Sequence, residues 1–100
     1  MVTENRKHPR RLVDLDVAFQ REAGARIDAR SRDLSLGGMF IETSAPPPYG
    51  TPVRVYMTLP GLDAETTVEA VVRWTTPIGM GVQFGVMGAR DTHALVSLLG

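Results

Sequence analysis

The run Arg26-Ile27-Asp28-Ala29-Arg30-Ser31-Arg32-Asp33-Leu34-Ser35-Leu36-Gly37-Gly38-Met39-Phe40-Ile41 decides the fold. Arg26, Asp28, Arg30 and Arg32 share one parity; Ala25, Ile27, Ala29 and Ser31 share the other. A strict period of two is the mark of a half-buried strand. The glycine pair Gly37-Gly38 punctuates that strand, and Met39 to Thr43 resumes another. Asp33 to Gly38 therefore reads as a polar rim joining two strands. In an extended backbone Asp33 and Ser35, two residues apart, are expected on the same side. The glycines allow a close approach to the main chain. The same Asp, Ser and Gly also make an ordinary β-turn.

Working outward, the same period recurs on both sides. Leu15, Val17 and Phe19 alternate with Asp14, Asp16 and Gln20, and Ala23-Gly24 turns the chain into the strand just described. Downstream, Ala45-Pro46-Pro47-Pro48-Tyr49-Gly50-Thr51-Pro52 is too rich in proline for a helix or a central strand. Tyr49 in it is expected to pack. A fourth strand carries Val53, Val55, Met57 and Leu59 on one parity. A fifth, from about Thr66 to Thr75, carries Val68, Ala70, Val72 and Trp74, and a sixth carries Met80, Val82 and Phe84. The last ten residues change period: Ala94/Leu98 and Leu95/Leu99 are four apart, and Asp91 can cap a short α-helix. Six short strands with turns between them predict an all-β domain, an antiparallel barrel or sandwich, with that helix laid against it.

One hundred residues make a single domain able to bury roughly two-thirds of its unfolded surface. With no cysteine there is no disulfide framework or thiolate site, and two histidines make a structural zinc improbable. The polar start Met-Val-Thr-Glu-Asn-Arg lacks a signal core, and no run is apolar enough to cross a bilayer. A cytoplasmic location with no membrane insertion is expected. The net charge is zero, but Arg6, Lys7, Arg10 and Arg11 crowd the first eleven residues against Glu4 alone. Residues 1–11 are expected to form a basic, mobile N-terminal arm, and 12–100 the barrel with its helix. Arginine makes up all but one of the basic residues, and its planar fork fits phosphate, carboxylate and the guanine edge. A local arginine cluster on a neutral chain points to a discrete anionic ligand. Binding to DNA or RNA is not expected, because a long polyanion wants a broad basic face interleaved with surface aromatics. The six aromatics here mostly share parity with apolar positions. No nucleophile-base set, metal cluster or phosphate loop can be assembled, so no catalytic residue is assigned and no enzyme is expected.

Taken together, these stretches resemble the PilZ domains, bacterial receptors for cyclic di-GMP. Arg6-Lys7-His8-Pro9-Arg10 is similar to the family's Arg-x-x-x-Arg arm, and Asp33-Leu34-Ser35-Leu36-Gly37-Gly38 to its Asp/Asn-x-Ser-x-x-Gly motif. Lys7 and Arg11 have the same spacing; Arg6 and Arg10 are preferred because the family motif has arginine at both ends. The likeness continues through Gly50-Thr51-Pro52-Val53, Val71-Val72-Arg73-Trp74 and Gly79-Met80-Gly81-Val82-Gln83-Phe84. It implies a six-stranded antiparallel β-barrel with a C-terminal helix, no cofactor, and cyclic di-GMP as ligand.

The resemblance also implies roles. Arg6 and Arg10 would serve guanine edges or phosphates, and Arg11 would add a phosphate contact or remain solvated. Asp33 would accept from guanine N1–H and N2–H₂, Ser35 would donate or accept through its hydroxyl, and Gly38 would let the ligand reach the main chain. Trp74 shares parity with Val72, which predicts a core or barrel-end plug; the alternative is a platform on which a guanine stacks. The signal would pass to an unidentified protein effector as the arm closes. The alternative is a protein–protein scaffold independent of nucleotide.

Overall fold

A computed structural model describes residues 11–59, 62 and 64–99. Six strands, β1 (Arg11–Arg21), β2 (Ile27–Leu34), β3 (Gly38–Glu42), β4 (Pro52–Met57), β5 (Thr66–Thr76) and β6 (Gly79–Phe84), precede one helix, α1 (Ala89–Leu99). All pairings are antiparallel, and the order β1-β2-β3-β6-β5-β4 closes back on β1 as a barrel. Closure removes the unpaired edges that short strands otherwise expose. The expected all-β barrel with its C-terminal helix is the observed fold.

The alternating positions fill the barrel. Phe19, Leu34, Met39, Ile41, Val55, Met57, Val68, Val72, Met80 and Val82 are buried. Each such side chain contributes roughly 1.5–3 kcal/mol relative to exposure. Helix α1 adds Ala94 and Leu95 to the same core, and its first turn is tied to β5 by the Thr66 and Asp91 side chains, 3.3 Å apart. Asp91 also places a negative charge at the positive end of the helix dipole. No helix among the described residues is long and apolar enough to cross a membrane.

The proline-rich connection ends at Gly50, whose φ of 85° lies where glycine is favoured. From there Gly50 N–H donates to the Val72 carbonyl at 2.8 Å, and Val72 N–H donates to the Thr51 carbonyl at 3.0 Å. The β4–β5 ladder thereby extends past Pro52, which cannot donate.

Three expectations are corrected. Trp74 is 41% exposed, not a core plug, because the β5–β6 register slips between Val72 and Trp74. Tyr49 is 69% exposed on the connection instead of packed, and Ile27 is exposed at the open end of β2. Of the other aromatics, Phe19 is fully buried and Phe84 packs half-buried against the core, while Phe40 and Tyr56 are half-buried.

Candidate functional site

Strand β2 does not run evenly past its neighbours. Ser31 faces Ile41 and Asp33 faces Phe40, so Arg32 is an extra residue opposite β3. The β1 side slips at the same level, with Leu12 opposite Asp33 and Leu15 opposite Ser31. Such a bulge resets alternation and re-aims a side chain. Here Ser31 is buried, Arg32 exposed, Asp33 half-buried and Leu34 buried again. A third slip, on β5, does the same with Arg73 as the extra residue: Val72 pairs with Val82 and Trp74 with Gly81.

The three slips have a joint result. Leu12, Asp33, Phe40, Gly81 and Trp74 become lateral partners in one row across β1, β2, β3, β6 and β5. With adjacent strands about 4.8 Å apart, Asp33 and Trp74 are three steps, roughly 14 Å, apart along the wall. Both aromatics of the row sit on glycines of β6. A Cβ on Gly81 would fall inside the Trp74 indole, and one on Gly79 would meet the Phe40 ring at 2.8 Å. The indole therefore lies flat against backbone on one side while 41% of the residue remains exposed.

The turn between β2 and β3 separates the two polar residues that two-residue spacing had placed together. Asp33 reaches across to β3, where its Oδ1 accepts the Phe40 N–H at 2.9 Å. Ser35 lies past the end of β2, is 5% exposed, and accepts from Gly37 N–H and Gly38 N–H at 3.2 Å each. Its hydroxyl and its N–H both face the Gly38 carbonyl, at 3.3 and 2.9 Å. The Ser35 side chain thus holds the turn closed from inside. Gly38 is required for a further reason: a Cβ there would collide with the Val82 carbonyl oxygen of β6. The missing side chain brings β3 against β6.

Arg6 and Arg10 lie outside the described residues, as does the side chain of Arg11. The Arg11 backbone is the first residue of β1, one residue inside the expected arm, and it pairs with Leu34. The barrel's first strand therefore starts beside the Asp33–Gly38 turn.

Charges on the same face are matched. Arg30 holds Asp14 and, at 3.0 Å, Asp16; Arg32 lies 3.5 Å from Glu42. The hydrogen bond from Arg30 holds the Asp14 carboxyl below its ordinary value, and Asp14 in turn raises Arg30. These groups are exposed, so the pairs orient side chains more than they stabilise the fold. Arg73, beside Trp74, donates to the Gln83 amide oxygen at 2.8 Å, a neutral partner that leaves its charge uncompensated by that bond. Neither Phe40 nor Arg73 was singled out from sequence, because the slips that bring Phe40 into the row and set Arg73 beside it leave no local signature. A separate concavity of about 380 Å³, bounded by Gln20, Arg21, Val53, Arg54 and Glu69, contains no residue of either motif.

The PilZ domain family model matches residues 4–100. Among solved structures, the inhibitor of motility MotI/DgrA of Bacillus subtilis is similar at a TM-score of 0.77 and 25% identity, over 96% of this chain and 50% of that one. This chain thus spans about half the length of the Bacillus protein. The PilZ domain of CeSA from a cellulose-synthesizing bacterium is similar at 0.72 and 19% identity, over 90% and 93% of the two chains. The PilZ domain of YcgR from Escherichia coli, solved with c-di-GMP, is similar at 0.73 and 14% identity, over 95% and 88%. A comparison with curated proteins gave no significant match. A match spanning residues 4–100, on a closed six-stranded barrel whose first strand starts beside the Asp33–Gly38 turn, makes this chain a member of the PilZ domain family.

Proposed function

We propose that this domain is a receptor for cyclic di-GMP, bound between an arm bearing Arg6 and Arg10 and the row that runs from Asp33 to Trp74. The family is one of non-catalytic receptors and adaptors linked to that dinucleotide. The observation that carries the reading to this chain is register. Arg11 pairs with Leu34, so an arm ending at Arg10 joins the barrel next to Asp33.

The chemistry then divides by position. Asp33 accepts from the guanine N1–H and N2–H₂; a carboxylate has about four lone-pair sites, so the bond to Phe40 does not exhaust it. Arg6 and Arg10 take phosphate or the O6/N7 edge, worth about 1–3 kcal/mol where that pairing is made to DNA. Trp74 offers an exposed indole for the second base, a contact of roughly 1–3 kcal/mol in single-strand binders. Ser35 and Gly38 act by shaping the turn that carries these groups. Ordering the arm costs about 1–2 kcal/mol of backbone entropy per residue, so closure holds only when both arginines make contact. Closure changes the surface offered to a protein effector, which is how binding becomes a signal.

Isothermal titration with cyclic di-GMP, cyclic di-AMP and linear GMP tests this. Tight binding of the first and at least about tenfold weaker binding of the others, about 1.4 kcal/mol, is expected, because cyclic di-AMP lacks the guanine donor set and linear GMP lacks the second base and phosphate. No heat at about 100 μM, a free energy weaker than about −5.5 kcal/mol, would replace the receptor by a nucleotide-independent scaffold.

A further inference from the structure

Ser31 is fully buried, yet no apolar reason explains a serine there. Its Oγ lies 2.7 Å from the Asp33 carbonyl oxygen and 2.7 Å from the Phe40 carbonyl oxygen. A hydroxyl carries one proton, so the two carbonyls share it. They converge because the slip between Ser31 and Asp33 interrupts the regular ladder at this pair. The same two residues are joined a second time by the Asp33 carboxylate, which accepts the Phe40 N–H at 2.9 Å. Main chain and side chain of Asp33 are thus both tied to Phe40, the one through the Ser31 hydroxyl and the other through the carboxylate.

We infer that Ser31 is a positioning residue: its hydroxyl clamps the β2 bulge and thereby aims the Asp33 carboxylate used to select guanine. The inference rests on the receptor reading for its last step, and on geometry alone for the first. Without the hydroxyl, the part-buried Asp33 and Phe40 carbonyl oxygens lose the donor they share, which favours opening of the bulge. Asp33 would then lose its fixed relation to β3 although its own side chain is unchanged. Ser31 does this from the interior, so it need not touch a ligand.

The test compares Ser31→Ala and Ser31→Cys with Val68→Ala, a core truncation on a regularly paired part of β5. Cysteine nearly preserves shape while offering only a weak donor, and it decides the matter by the same measurements if the alanine variant does not fold. In the ligand-free proteins, hydrogen exchange of the Phe40 amide should accelerate on the order of tenfold more than that of the barrel core, a local opening and not a global one. With ligand, cyclic di-GMP affinity should fall on the order of tenfold and its preference over cyclic di-AMP should narrow, as expected for one mis-aimed acceptor. Val68→Ala should lower the melting temperature while leaving the preference unchanged. If the Ser31 variants only lower the melting temperature, with Phe40 exchange tracking the core and the preference intact, Ser31 is structural and the inference falls. If the unmodified protein binds no cyclic di-GMP, the receptor reading fails, whereas Phe40 exchange still decides whether Ser31 clamps the bulge.

Discussion

Two parts of one barrel wall are built to different rules. Between β1, β4 and the first half of β5 the register never slips: Val17 to Arg21 run against Met57 to Val53, and Pro52 to Met57 against Val71 to Thr66. Between β2 and β3, and between β6 and the second half of β5, it slips once each, and those slips put Asp33, Phe40 and Trp74 in one row. Regular pairing delivers a side chain inward at every second residue, which builds core. A slip puts side chains outward where alternation would have buried them, as with Trp74. The regular part should therefore govern stability, and the slipped part should govern recognition.

The largest effect expected is on the regular side. Phe19→Ala removes a fully buried ring and should cost about 3–5 kcal/mol in denaturant unfolding. A cost below about 1 kcal/mol would mean that the core is centred elsewhere. Gly38→Ala comes next, at about 1–3 kcal/mol, because its new methyl meets the backbone of β6 and neither strand can yield cheaply. Thermal unfolding measures it; a neutral result would show that β3 and β6 can separate without loss.

Asp33→Ala should divide its effect. Loss of the acceptor for Phe40 N–H should cost about 1 kcal/mol of stability, while titration should show cyclic di-GMP binding weaker by at least about 1.5 kcal/mol. A variant that lost stability alone would make Asp33 a bulge residue without a role in recognition. Trp74→Leu should leave stability within about 0.5 kcal/mol, since the indole lies on the outer surface, and weaken binding by about 1 kcal/mol. Unchanged affinity would remove the indole from the site and confine recognition to the arm and Asp33.

The smallest effect sharpens the contrast by pH. The Asp14 carboxyl, paired with Arg30, is held below its ordinary value of 3.8. Its folded form binds a proton less readily than the unfolded chain does. The contribution is therefore fully present above the ordinary value and is lost as pH falls through the lower folded value. Asp14→Asn should flatten the stability curve slightly below about pH 4 and nowhere else, and high salt should shrink the difference. The small difference between the two proteins should be present at neutral pH and vanish in acid; one that persisted unchanged in acid would assign Asp14 some role other than that ion pair.

Sequence alone determined the strands, because the period of two is written in them, and left barrel or sandwich open until the family resemblance favoured the barrel. The alternations Val53-Val55-Met57 and Val68-Ala70-Val72 are the observed inward faces, and the change of period near Asp91 is the observed helix. It also marked the Asp33–Gly38 turn, since glycine and short polar side chains announce such a connection locally. Tertiary structure decided what those residues face. That Ser35 turns inward, that Asp33 bonds to Phe40, and that Gly38 is needed against Val82 all depend on strands distant in the chain. Above all, parity placed Trp74 in the core, and one extra residue in β5 brought it to the surface. A bulge is set by how two strands fit together around a closed barrel, so neither strand's own sequence carries it.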